Sequence, residues 1–195
     1  MVQNHRLILA SGSPRRRELL AGLDLEFTVD TLNSFEEAVP AGMKAEDVPL
    51  YMAEGKSLGF HRPLDENEVL LTADTVVIAD ETLMGKPHDR QQALDMLRRL
   101  SGREHRVLTA VVLRGLGKKV NFVDTTIVSF SPLSEEEISY YIDRYRPFDK
   151  AGAYGIQEWI GYMGIEKISG SYFNVMGIPV HRVHKALKEE FGIGI

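Results

Sequence analysis

The sequence predicts a mixed α/β fold: a twisted sheet of parallel and antiparallel strands with helices around it. Three observations predict this. Short apolar runs that read as strands alternate with stretches of helical period along most of the 195 residues. Two long β-rich stretches, 103–116 and Lys118–Phe130, meet near Gly117 and read as an antiparallel hairpin, which breaks the pattern of a purely parallel sheet. The chain is 44% hydrophobic and 26% charged, which suits one globular domain, 1–195, with a full core and a smaller lobe.

Residues 6–10 form an apolar run that reads as a buried first strand. Ser11, Gly12 and Ser13 break it. Ser13 stands where an N-cap belongs, Pro14 occupies the first helical position, and Leu19, Leu20 and Leu23 share a face of the helix that follows. Residues 25–31 read as a second strand and 33–42 as a polar loop with Glu36 beside Glu37. Residues 45–60 suit a helix with Val48, Met52 and Leu58 as its apolar positions, and it carries Lys56. A turn at 62–67 leads into the strongest strand, Glu68–Ala79. Asp80 and Glu81 turn the chain into a short strand, Thr82–Met84, which leaves through Gly85-Lys86-Pro87. Residues 88–100 form an amphipathic helix with Ala93, Leu94, Leu97 and Leu100 inward, closed by Gly102. Ser134 with Glu137 is a capping box that opens a helix to Tyr145. A glycine-rich polar stretch covers 147–164, a short strand 166–169 and a last helix 179–191.

The net charge of −5 argues against bulk attraction to nucleic acid or to an anionic membrane, and turns attention to small anions in a local basic pocket. With no cysteine, disulfides, thiol catalysis and thiolate metal sites are excluded. No apolar stretch approaches the ~18 residues that span a bilayer. The opening MVQNHRLILASG lacks the basic and long apolar regions of a signal peptide, so a cytoplasmic protein is expected.

Several residues are candidates for chemistry. Arg15, Arg16 and Arg17 sit in the first turn of a helix, where the macrodipole disfavours cations by roughly 0.3–1 kcal/mol each. Together with a Ser-Gly-Ser loop they make an anion site suited to phosphate; the alternative is a solvated charged turn. Period-two alternation puts Asp74 on the face of Leu70, Val76 and Ile78, and a carboxylate there must be paired or bind metal, unless it caps a neighbouring loop. Thr75 faces the other way. Lys86, held between Gly85 and Pro87, reads as a phosphate contact or an exposed turn lysine, and Lys56 as a phosphate contact or part of a solvated helix face. Glu36 and Glu37 offer oxygen ligands to a divalent cation or are solvated acids. In the stretch 149–157 two glycines three apart allow close approach to a flat ligand, and the Gln157 carboxamide can match a uracil or thymine edge; otherwise it faces water. His181 and His184 are spaced for metal on the last helix, with no third ligand evident. Tyr154, Trp159 and Tyr162 flank the glycine loop and read as the roof of a core; the alternative is stacking on a base.

The ordered set LASGSPRRRELL, Lys56, ADTVV with GKP, SGREHRVLTAVVL and DKAGAYGIQ resembles the Maf family of nucleotide pyrophosphatases, from residue 7 to about 180. The resemblance implies an inosine-triphosphate-pyrophosphatase-like fold, an elongated mixed sheet with a cleft between two lobes. It implies cleavage of a nucleoside triphosphate between its α and β phosphates, with Mg²⁺ or Mn²⁺ as the divalent metal. Residue by residue, Asp74 matches the catalytic proton acceptor, and the implied metal is held by Asp74 or by the Glu36-Glu37 pair, with Asp74 and Glu37 as the expected ligands. Ser11, Arg15 and Arg16 match the phosphate-binding loop, and Lys56 and Lys86 the two phosphate-facing lysines. Arg15, Thr75 and Gln157 match positions tied to base preference. The GIQ form resembles the branch acting on dTTP and UTP, with modified pyrimidine triphosphates within reach, and not the branch acting on 7-methyl-GTP. A small-molecule nucleotide is the implied partner, without nucleic acid or membrane, and a homodimer is one assembly compatible with it. One departure stands out: the acidic pair usually follows the second strand closely, whereas here Asn33, Ser34 and Phe35 intervene. Two other functions remain open, a pyrophosphatase for purine or modified nucleotides and a non-enzymatic nucleotide-binding regulator of cell division.

Overall fold

The structure, a computed structural model, describes residues 5–194. The first four residues of the stretch read for a signal peptide lie outside them. Among the described residues seven strands form one mixed sheet. They are β1 (Arg6–Leu9), β2 (Phe27–Val29), β3 (Glu68–Ala79), β4 (Thr82–Met84), β5 (Glu104–Gly115), β6 (Lys118–Phe130) and β7 (Ile165–Ser169). They bond in the order β2-β1-β3-β5-β6-β7, with β4 on β3. β1 runs parallel to both β2 and β3, whereas β4 and β7 pair antiparallel with β3 and β6. Among the described residues seven α-helices accompany them: α1 (Pro14–Ala21), α2 (Val48–Leu58), α3 (Arg90–Leu100), α4 (Glu135–Tyr145), α5 (Trp159–Gly164), α6 (Tyr172–Met176) and α7 (Val180–Phe191). No helix among the described residues is long and apolar enough to cross a membrane.

The chain divides into two compact units. The first takes the described residues up to Asp74, then Thr109–Asp124 and the described residues from Gly177 on. In it β1 is a buried apolar strand whose register, Leu7 to Phe27 and to Val69, is set on both sides. Because β1 offers only four residues, β2 is shorter than the 25–31 expected and stops at Val29. The α2 helix is also shorter than 45–60. Pro49 has no N–H to donate and so sits at the start, and Gly59 caps the end. Ile8, Phe60, Leu64 and Leu70 form one core cluster, and Ala53, Ala110 and Val112 another.

At the entrance to β3, Glu68 is buried and accepts from Arg62 at 2.7 and 3.0 Å, from Arg6 at 3.0 Å and from the Asp65 N–H at 3.0 Å. The hydrogen bonds from Arg62 are the main reason its carboxyl is held at about 2 instead of 4.5. A depressed carboxylate stabilises the fold above its unfolded value and loses that contribution as pH falls through the folded one. Glu68→Gln is therefore expected to lower stability at pH 7 and to flatten the loss of stability between pH 4.5 and 2. Urea unfolding across that range checks it; parallel curves for the two proteins would exclude the role.

The second unit takes Thr75–Leu108 and Thr125–Met176. Asp80 and Glu81, both at positive φ, make the tight turn from β3 into β4, as the alternation of hydrophobic runs predicts. The α3 helix starts at Arg90 and not at 88, because the Asp89 side chain accepts from Gln92 N and caps it. The Ser134 capping box is formed. The stretch 147–164, expected to be a polar loop, contains a 3₁₀ turn at Ala151–Ala153 and the α5 helix, and α6 lies where no helix was expected. Such short helices have little intrinsic stability, so their period is hard to read. Tyr154 is buried against His105 and Phe130, and Trp159 packs on Tyr140. Tyr162, by contrast, is 85% exposed and roofs nothing.

Candidate functional site

The site in the first unit grows from the parallel pairing of β1 and β3. Their register aligns Leu9 with Leu71, so the loop that leaves β1 emerges beside Ala73 and Asp74. The ends of parallel strands, where helices begin, are where α/β folds place ligands. Ser13 caps α1, accepting from Arg16 N at 3.4 Å, as expected. Arg16 then turns back: its Nη1 donates to Ser11 Oγ at 3.3 Å and to Ala73 O at 2.8 Å, and its Nε donates to Gly177 O at 3.0 Å. The solvated-turn alternative does not hold for Arg16, which is fixed by three oxygens. Burial lowers its pKa from the ordinary value, the Asp74 charge opposes that, Arg15 adds to it and Glu37 opposes it. Arg15 is half-buried and Arg17 exposed.

Asp74 and Lys56 resolve one another. The Lys56 ammonium donates to Asp74 Oδ1 at 2.8 Å and lies 3.1 Å from Glu37 Oε2. Both the Lys56 and Asp74 side chains are 16% exposed, so neither the solvated helix face nor the loop-capping alternative describes them. The cation offsets the cost of withdrawing the Asp74 carboxylate from water, and the exposed Glu37 carboxylate shares it. Glu36 is exposed and takes no part in the pair.

Sequence reading missed what brings Glu37 there. Asn33 donates to Lys56 O at 2.6 Å and accepts from Phe35 N at 2.8 Å, and Ser34 N donates to Gly59 O at 2.8 Å. The three intervening residues thus anchor the acidic loop to α2. The approach is close: a Cβ on Gly55 would lie 2.2 Å from the Phe35 ring, and one on Gly59 would lie 2.7 Å from Phe35 N. Two glycines four apart on one helix are the signal that could have shown this contact. Gly59→Ala meets backbone, which cannot swing aside as a ring can. It is expected to destabilise the protein by about 1–3 kcal/mol, more than Gly55→Ala. Urea unfolding of the two variants checks the order; equal stability to the parent would remove the anchor.

A pocket of about 130 Å³ opens between these groups, with Ser11, Gly12, Arg16, Glu37 and Lys56 on its wall. That is smaller than the ~300 Å³ or more of pockets that take a whole small molecule, and suits a part the size of a phosphate.

Three further sequence candidates belong to the second unit. Thr75 is half-buried in β3 next to Asp74. Lys86 is exposed on its turn, which is tied to the glycine-rich stretch by Gly152 N donating to Gly85 O at 3.0 Å. Gln157 is half-buried, and its Oε1 is a buried acceptor with no hydrogen-bond partner. Gly152, at φ +71°, packs against the Val77 side chain. No group of three or more His, Asp or Glu side chains among the described residues is arranged to hold a metal, which leaves His181 and His184 a pair.

Comparison with known proteins gives the site a context. A dTTP/UTP pyrophosphatase of Phocaeicola vulgatus is 50% identical over 188 residues, 96% of this chain and 97% of its own. One of Porphyromonas gingivalis is 47% identical over 190 residues, 96% of each chain. Among solved structures, a nucleoside-triphosphatase (dITP/XTP pyrophosphatase) of Mycobacterium abscessus is 16% identical and covers 66% of this chain and 75% of its own, at a TM-score of 0.40. The family model described as Maf-like protein matches residues 6–190, and with that span and these relatives the chain belongs to the Maf-like family.

Proposed function

We propose that the protein is a nucleoside triphosphate pyrophosphatase that converts dTTP and UTP to the monophosphate and pyrophosphate. The observation that carries this reading is the phosphate-sized pocket with Arg16 and Lys56 on its wall and the Asp74 carboxylate on the Lys56 ammonium. The activity in the names of relatives that share nearly the whole chain supports the same reading.

Ser11, Arg15 and Arg16 bind phosphate oxygens, joined by Lys56 and Lys86. Asp74 accepts a proton from water as the water oxygen attacks the α-phosphorus. The bond from the α-phosphorus to the bridging oxygen breaks, and pyrophosphate leaves with that electron pair. Lys56 and Arg16 stabilise the charge that develops on it. The Asp74 and Glu37 carboxylates are hard oxygen donors of the kind Mg²⁺ or Mn²⁺ takes one or two of, and an ion there would share them with the Lys56 ammonium that both now face. Asp74 and Glu37 would hold such an ion, which supplies neutralisation of phosphate charge.

Gln157 reads the base, with Arg15 and Thr75 contributing to preference. Its carboxamide can accept from N3–H of uracil or thymine while donating to a ring carbonyl, and the unpartnered Oε1 supports that role. Cytosine presents an acceptor at N3, and a wrongly paired buried amide costs about 1–3 kcal/mol, or about tenfold to a hundredfold. The test is pyrophosphate release from UTP, dTTP, CTP, GTP and 7-methyl-GTP, measured as kcat/KM. UTP and dTTP are expected to exceed CTP by at least about tenfold, and Gln157→Ala to remove most of that difference. An equal drop for every substrate would make Gln157 a loop support; binding of UTP without pyrophosphate release would make the protein a regulator and not an enzyme.

A further inference from the structure

Next to Gln157 lies a buried polar cluster that neither the phosphate chemistry nor the base contact uses. Lys150 is 8% exposed, an unusual place for an ammonium. Its Nζ donates to Asp149 Oδ1 at 2.8 Å and lies 3.2 Å from Glu158 Oε1. The other Glu158 oxygen accepts from the hydroxyl of Tyr141, a fully buried side chain of α4. The same hydroxyl accepts from Gly155 N at 2.9 Å. Burial raises the Tyr141 pKa and Glu158 raises it further, so the hydroxyl keeps its proton and donates at neutral pH.

These contacts converge on one tight turn. Glu158 N donates to Gly155 O at 3.0 Å, so Gly155 and Glu158 are its two ends and Gln157 lies inside it. Tyr141 grips both ends with one oxygen. The fit leaves no room at Gly155, where a Cβ would lie 3.0 Å from Glu158 Cδ and 3.1 Å from Lys150 Cε. Gln157 itself has an unsatisfied buried Oε1 and so no side-chain bond to that oxygen that would hold the amide in one orientation. The amide can flip about its own Cγ–Cδ bond, which the turn does not set; what the turn sets is where the carboxamide stands, and an amide reads a base edge only from within hydrogen-bond distance of it.

We infer that Tyr141, Glu158 and Lys150 are positioning residues that clamp the Gly155–Glu158 turn and so hold the Gln157 carboxamide where it can discriminate a uracil or thymine edge from cytosine. The inference rests on the assignment of Gln157 as the base reader. The cluster touches no reacting atom, so its loss should alter KM and base preference and leave kcat for UTP nearly unchanged. Tyr141→Phe removes only the oxygen that joins the two ends.

The experiment measures kcat and KM for UTP and CTP in the parent, Tyr141→Phe, Gln157→Ala and the double variant, with thermal unfolding of each. Tyr141→Phe is expected to raise KM for UTP and to lower the UTP/CTP preference by about tenfold, with kcat for UTP within about twofold of the parent. In the double variant the preference should fall no further than in Gln157→Ala alone, because both changes remove one function. Glu158→Ala carries the same expectation should Tyr141→Phe not fold. Parent-like preference in Tyr141→Phe beside a collapsed preference in Gln157→Ala would overturn the clamp and leave the base reader standing. Additive losses would also overturn it. If Gln157→Ala keeps the parent preference, the base assignment falls and the clamp falls with it.

Discussion

Asp74→Asn is expected to lower kcat for UTP by about 10²–10⁴-fold while the protein stays folded, the range that a positioned general base contributes. Asparagine keeps the size of the side chain and an oxygen that can accept from Lys56 Nζ, which now sits 2.8 Å from Asp74 Oδ1. It cannot take a proton from water, and it is a poor ligand for a divalent cation. Lys56 keeps a charged partner in Glu37, so no cation is stranded. The fold should therefore survive, and far-UV circular dichroism with thermal unfolding checks that it does. Single-turnover pyrophosphate release then isolates the chemical step. Turnover of UTP at the parental rate would remove Asp74 from the mechanism.

Lys56→Met should reduce kcat/KM for UTP by about 10²-fold or more, the scale for removing a preorganised positive group from a developing phosphate charge. Methionine keeps much of the aliphatic stem, so packing changes little. The electrostatics change more. Asp74 and Glu37 would face one another without the ammonium that lies 2.8 and 3.1 Å from them. The variant should be less stable at neutral pH, and adding Glu37→Gln should return part of that stability without returning activity. Glu37 is 56% exposed, so the stability effect is smaller than for a fully buried pair. Urea unfolding of the single and double variants, together with their kinetics, tests both parts. A Lys56→Met protein with parental kcat/KM would show that the lysine serves only the fold.

Arg16 shows how one residue joins the readable to the unreadable. Its place after Ser13-Pro14 at a helix start was visible as a cation in an unfavourable field, which is what marked the loop as an anion site. Its bonds to Ala73 O and Gly177 O span 57 and 161 residues of chain, and nothing local announces them. Lys56 shows the same limit. In sequence it is one lysine on a helix, and its meaning comes from Asp74, 18 residues on.

The sequence by itself determined the elements whose signals lie within one or two turns of chain. These are the β1 strand and the Ser13 cap, the run of β3 with a carboxylate out of place, the turn at Asp80-Glu81 and the Ser134 capping box. It also marked Asp74, because an ionised group on an apolar strand face needs a partner whatever the fold. Tertiary structure alone decided which partner. It brought Glu37 to Lys56 by seating Asn33 on the Lys56 carbonyl and Phe35 against Gly55 of α2, gave α5 and α6 the packing that short helices lack alone, and buried Lys150 between Asp149 and Glu158. The physical reason is common to all three. Periodicity and capping are short-range and repeat along the chain, whereas a buried ion pair or a helix shorter than two turns is stable only once distant segments have closed around it.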